Sequence, residues 1–257
     1  SLTEGLSLCS SPEDLMALTH LATHLYAEHL RRFDEGAERL RNFQTNAFAT
    51  GTPAEFTVAR AVVAMQLAEG TVDANDRLGL TPSDLARSLG TASAAVVLQD
   101  SERSEKFLRA ALDTLATLDL SSLEDGGKSL SRAIAAATHN IAANVQEMKD
   151  LTAQQKTLML LATEASRRYW EIAGTWLEVE RAEHQVAKCF LKAGDFEKAR
   201  RHANLCLEIC RANNADALEL FFAFEAIASI EKAVASERFE SALATAAKWF
   251  EKLTPDD

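Results

Sequence analysis

The sequence predicts an all-α protein of about eleven helices, and three observations carry that prediction. Gly and Pro are scarce, 10 and 4 residues among 257, although turns and long loops draw on both. Ala, Leu and Glu, all strong helix formers, fill the stretches between them. Apolar residues recur at steps of three and four, the helical period, rather than in alternation. The one β-like run, Val96-Val97-Leu98, is too short for a strand and lies inside an Ala-rich helical pattern.

Taken in order, the helix starts are explicit. Ser11-Pro12-Glu13-Asp14 supplies a Ser N-cap, a Pro in the first turn and acids where the helix dipole favours them. Leu15, Leu18, Leu21-Ala22 and Leu25 then mark one apolar face. Thr52-Pro53-Ala54-Glu55 and Thr81-Pro82-Ser83-Asp84 repeat the device, so three of the four prolines open helices and Pro255 lies in the tail. Phe107, Leu108, Ala111-Leu112, Leu115 and Leu118 form a later face. The main non-periodic stretch is Asp119 to Lys128. It divides the chain into helical hairpins over 1–118, a loop over 119–128 and further hairpins over 129–257, expected as one continuous superhelical domain.

The C-terminal hairpins carry the sharpest signal. In Val186-Ala187-x-x-Phe190-x-x-x-Gly194-Asp195-Phe196-x-x-Ala199, small Ala187 and Ala199 let two helices approach, and Phe190 fills the space beside them. Gly194 supplies the left-handed residue that ends one helix, and Asp195 caps the next. Phe239-Glu240-Ser241-Ala242 repeats Phe196-Glu197-Lys198-Ala199 43 residues later, and Phe107-Leu108-Arg109-Ala110 is a fainter copy. This pattern resembles the tetratricopeptide repeat, TPR. It departs from the usual repeat at Glu183, where Trp is typical, at Ala203 and at Arg211. The resemblance implies a TPR-like α-solenoid of antiparallel hairpins whose stacking leaves a concave binding groove.

From about 140 to 232 the chain is also similar to a bacterial group of unknown function with TPR-like helices. The resemblance runs through Arg167-Arg168-Tyr169-Trp170, Ala173-Gly174-Thr175-Trp176, Glu180-Arg181-Ala182-Glu183, Cys206-Leu207-Glu208-Ile209-Cys210 and Phe221-Phe222-Ala223-Phe224-Glu225-Ala226. It implies the same fold and a bacterial origin, but no activity.

Charge narrows the partners. With 27 basic and 38 acidic residues the net charge is −11, which repels nucleic-acid phosphates and anionic lipid. No apolar run approaches the ~18 residues of a membrane span, so neither nucleic acid nor membrane is expected as a partner. Cys9, Cys189, Cys206 and Cys210 form no C-x-x-C pair, and three of the four have apolar neighbours in strongly helical context, as reduced thiols of a cytoplasmic protein would.

Motifs for chemistry fail on inspection. Gly127-Lys128-Ser129 matches the end of a phosphate-binding loop, yet Ser122 stands where the first glycine is required and no strand precedes it. A turn opening a helix is the better reading. His20, His24 and Glu28 share a helical stripe, with His29 beside Glu28, but Leu21 replaces the Glu that H-E-x-x-H needs. His202, Cys206 and Cys210 fall at four-residue steps and would hold a soft metal only with a fourth ligand such as Cys189; packing in the core is the simpler account. No His has a Glu three residues before it, which excludes the usual di-metal bundle. No cofactor, metal site or catalytic residue is therefore expected.

The remaining cluster is Trp170, Trp176, Glu180, Arg181 and His184, near Glu183. Trp and Arg dominate binding hot spots, so these side chains could anchor a ligand. Asn140 and Asn144, one turn apart on the preceding helix, could hydrogen-bond an extended peptide. The function these residues suggest is a non-catalytic scaffold that binds a protein or peptide along a concave face. The alternatives are a small-molecule or metal-binding sensor or enzyme with a pocket between hairpins, and a self-assembly module such as a homodimer.

Overall fold

The structure, a computed structural model, describes residues 2–74, 76 and 78–253; Pro255 lies outside the described residues. Among them all regular structure is helical: twelve α-helices, one π-helical turn and one 3-10 turn, with no strand. No helix of the described residues is long and apolar enough to cross a membrane. The chain divides into two compact units, residues 1–123 and 124–257.

The first unit holds α1 (Leu2–Leu8), α2 (Pro12–His24), α3 (Phe33–Phe43), α4 (Pro53–Glu69), α5 (Pro82–Val96) and α6 (Ser101–Ala116). Ser11, Thr52 and Thr81 cap α2, α4 and α5, each with Pro opening the helix. The core gathers Leu15, Leu40, Met65, Leu67, Leu89 and Phe107. Leu21 departs from the face expected of α2 and is 58% exposed. The buried face centres instead on Leu15, Thr19 and Ala22, because the Thr19 hydroxyl donates to the Leu15 carbonyl at 2.7 Å and needs no outside partner.

Asp119 caps the 3-10 turn Leu120–Ser122. Gly127 then takes φ 75°, and the helix α7 begins at Lys128, so Gly127-Lys128-Ser129 is a turn leading into a helix. The Asp125 carboxylate accepts from the Ser129 N–H at 2.6 Å. That contact occupies one of the amides a phosphate would have required.

The second unit is a run of α7 (Lys128–Glu147), α8 (Ala153–Ala173), α9 (Trp176–Ala193), α10 (Phe196–Ala212), α11 (Ala217–Ala233) and α12 (Phe239–Phe250). Each helix packs on the next in sequence, and α9 also touches α7 and α11. Local chemistry sets the ends. Thr152 with Gln155, and Thr175 with Glu178, form reciprocal capping boxes at α8 and α9. Gly194 at φ 89° ends α9, the Asp195 N–H donates to the Phe190 carbonyl at 3.0 Å, and the Asp195 side chain caps α10. A two-residue connection folds α10 back on α9, and Ala187, Ala199 and Ala203 are fully buried where the two meet. Phe190 is 2% exposed beside them, in a cluster with Val186, Ala226 and Ile230. Burying that ring contributes about 2–3 kcal/mol.

Candidate functional site

Among several clefts of the second unit, one of about 300 Å³ is lined by His139, Gln146, Glu180, Arg181, His184, Gln185, Lys188, Glu219 and Phe222. Every one of these residues lies on α7, α9 or α11, the first helices of three successive helix pairs. Residues 181, 184, 185 and 188 share one face of α9 at three- and four-residue spacing, and His139 and Gln146 stand two turns apart on α7. Glu219 and Phe222 close the cleft from α11.

Its walls are held by bonds between helices. Arg181 donates from Nε to Glu219 Oε1 at 3.1 Å, and its terminal nitrogen meets the same oxygen. Lys188 Nζ lies 2.8 and 3.0 Å from the two Glu225 oxygens, and Ser229 donates to Glu225 at 2.7 Å. Burial works against the Glu225 carboxylate, but His184, Lys188 and Ser229 together hold it down at about 2. Gln185 donates from its amide to the His139 carbonyl at 3.1 Å. Burial lowers the pKa of His139. The His184 ring packs edge-on against Phe222, with centroids 5.6 Å apart.

Two polar atoms of the lining are buried without a hydrogen-bond partner, Glu180 Oε2 and Gln185 Oε1, while His184 Nε2 stands 3.8 Å from Glu225 Oε2. Glu180 and Gln185 are only 1% and 6% exposed. An unmet buried polar atom costs on the order of 1–3 kcal/mol, so two at one cleft are the pattern of a surface built to be completed by a ligand.

Two carboxylates of α9 are buried here, Glu180 in the lining itself and Glu183 one turn on. Glu183 accepts from Arg167 Nε at 2.8 Å, and its second oxygen lies 2.6 Å from His202 Nδ1. Burial would raise its pKa, yet His202 and Arg167 prevail and hold it below the ordinary carboxylate value. Glu180 receives the Cys206 thiol at 2.8 Å and the Cys210 thiol at 3.4 Å, both on Oε1. Burial above all, with the Glu219 carboxylate beside it, pushes Glu180 up to about 7. The Cys206 thiol is raised far above its ordinary value by its bond with Cys210 and by burial.

The structure brings Glu180, Arg181 and His184 together in the cleft and puts four other expected residues elsewhere. Trp170 lies in the last turn of α8 with Arg132 over its ring at 5.3 Å. Trp176 opens α9 one turn before Glu180 and is 38% exposed. Asn140 is exposed and Asn144 half-buried. Neither lines the cleft, since each helical residue turns about 100° from the last and the facing positions on α7 are His139 and Gln146. Arg181 bonds across to α11 rather than along its own helix. Sequence reasoning missed Gln185 and Lys188, although they continue the stripe of Arg181 and His184. It also missed His139, Gln146, Glu219 and Phe222, which reach the cleft only through packing.

The two histidine-bearing stripes weighed as metal ligands in the sequence also resolve. His24 lies 3.2 Å from Glu28 and 3.0 Å from His29, because the π turn Leu25–Leu30 sets five residues where four would fall. His202 leaves its stripe for Glu183, while Cys189 lies 3.5 Å from Gln146 and burial pushes its thiol up to about 12. Among the described residues, one group of three metal-binding donors converges, Glu180 with Cys206 and Cys210. None of the four cysteines is in a disulfide.

No family model, curated protein or solved structure matches the chain.

Proposed function

We propose that the second unit is a TPR-like array of helical hairpins that binds a short segment of a partner protein in the α7–α9–α11 cleft, without catalysis. The observation that carries this reading is the lining itself. The first helix of each of three successive pairs contributes to it, as the inner helices of a stacked array would. A peptide backbone alternates N–H donors with carbonyl acceptors. Its donors suit the unmet Glu180 and Gln185 oxygens, and its carbonyls suit Arg181 and Lys188. Phe222, 39% exposed at the cleft, supplies an apolar seat for one side chain. The net charge of −11 disfavours nucleic acid and anionic lipid as competitors, and four unpaired thiols support a cytoplasmic setting.

A second reading, a small-ligand sensor, is favoured by the volume. About 300 Å³ is the lower end of ordinary small-molecule sites.

Affinity capture from the native cell, followed by mapping the retained protein on a peptide array, tests the first reading. A short segment should bind in isolation, and Arg181→Ala and Gln185→Leu should each weaken it about tenfold, as for hot-spot contacts. Segment binding that ignores both substitutions refutes the assignment. A small molecule released on denaturing the native protein, and absent from the Gln185→Leu preparation, establishes the second reading instead.

A further inference from the structure

We propose that Glu180, Cys206 and Cys210 form a binding site for a divalent cation of the zinc class, with one coordination position open toward the cleft. The donors come from two packed helices. Cys206 and Cys210 stand one turn apart on α10 and both point at the same oxygen of Glu180 on α9, at 2.8 and 3.4 Å. All three donor atoms lie within 4.8 Å of one another. Donors around a tetrahedral zinc, with bonds of about 2.3 Å to sulfur and 2.0–2.2 Å to oxygen, stand about 3.5–3.8 Å apart. The cluster thus needs only a small expansion to admit an ion.

A second observation points to a ligand independently of that convergence. Glu180 is 1% exposed, and its other oxygen, Oε2, has no hydrogen-bond partner. A carboxylate buried in this way is costly unless paired or bound to a metal. The pairing expected for such a group is instead given to its neighbour, because Arg167 and His202 both go to Glu183. Glu180 faces two thiols, which are weak donors and strong metal ligands once deprotonated, and the like-charged Glu219 carboxylate beside it.

The donor set selects the cation. Two thiolates disfavour magnesium and calcium, while the carboxylate disfavours purely soft monovalent copper. Zinc accepts both. On binding, each thiol and any protonated Glu180 releases its proton to solvent as its bond to the metal forms, and no oxidation state changes. Three protein ligands leave a fourth position for water or an incoming group. Glu180 also lines the cleft, so that position is reached from there.

Cobalt(II) titration of the chelator-treated full chain under reducing, anaerobic conditions tests the site. One equivalent should bind, with a thiolate-to-cobalt charge-transfer band in the near ultraviolet and tetrahedral bands in the visible. Zinc should displace it. Cys206→Ser and Cys210→Ser, checked for helicity by circular dichroism, should each weaken the charge-transfer band and together abolish it, and Glu180→Gln should bind at least about tenfold more weakly. Absence of the band in the wild-type protein with excess cobalt overturns the proposal without recourse to any variant. So does a band that survives both cysteine substitutions. The titration uses no partner, so its failure leaves the peptide reading of the cleft untouched.

Discussion

Glu183 is the residue whose removal should most disturb the second unit. Its carboxylate is 2% exposed and takes Arg167 on one oxygen and His202 on the other. Glu183→Gln keeps the shape and removes the charge. The amide offers one acceptor and one donor, so one of the two partners must face an N–H instead of a lone pair. Each charge-assisted hydrogen bond is worth about 1.5–3 kcal/mol, and breaking a buried ion pair on one side costs about 3–5 kcal/mol. Arg167 retains 33% of its side-chain exposure and can recover some hydration, which favours the lower end, about 3 kcal/mol.

The measurement is urea unfolding at neutral pH, followed by far-ultraviolet circular dichroism and by the fluorescence of Trp170, Trp176 and Trp249. The sign of the pH effect follows from the lowered pKa. The stabilisation is complete above the ordinary value of 4.5 and is lost as pH falls through the depressed folded value. The gap between wild type and Glu183→Gln should therefore narrow below about pH 4.5. A neutral-pH loss under about 1 kcal/mol, the range of a solvated ion pair, would refute the buried network.

Three further outcomes are expected. Gly194→Ala places a side chain at φ 89° with nothing within 4 Å of the new Cβ, so only backbone strain acts, and urea unfolding should record a loss of about 1 kcal/mol. Thr175→Ala removes the hydroxyl that caps α9 and its bond to Glu178; about 1 kcal/mol should be lost by the same assay. In the native protein at pH 8, a thiol-titrating reagent should label Cys9, which is half-buried, well before the fully buried Cys189, Cys206 and Cys210. Unfolding should release all four together, and equal native rates would contradict their burial.

What the sequence determined by itself is local. Helix starts at Ser11, Thr52 and Thr81, and the stop and restart at Gly194 and Asp195, depend on side chains reaching backbone groups within one turn. Such chemistry is written in adjacent positions. The close packing of Ala187 and Ala199 was legible for the same reason, since small residues admit a neighbour whichever helix that neighbour is.

Tertiary structure decided where the polar residues of α9 point and what meets them. Glu180, Arg181 and Glu183 are consecutive or nearly so, yet their partners are spread over three other helices: Cys206 and Cys210 on α10 for Glu180, Glu219 on α11 for Arg181, and His202 on α10 with Arg167 on α8 for Glu183. Those pairings span 16 to 38 residues in sequence, and no periodicity encodes them. The two tryptophans looked the stronger anchors because their size is visible in any context. Burial and orientation instead put the unmet polar atoms at Glu180 and Gln185, and only the packing of α7, α9 and α11 around them makes a cleft.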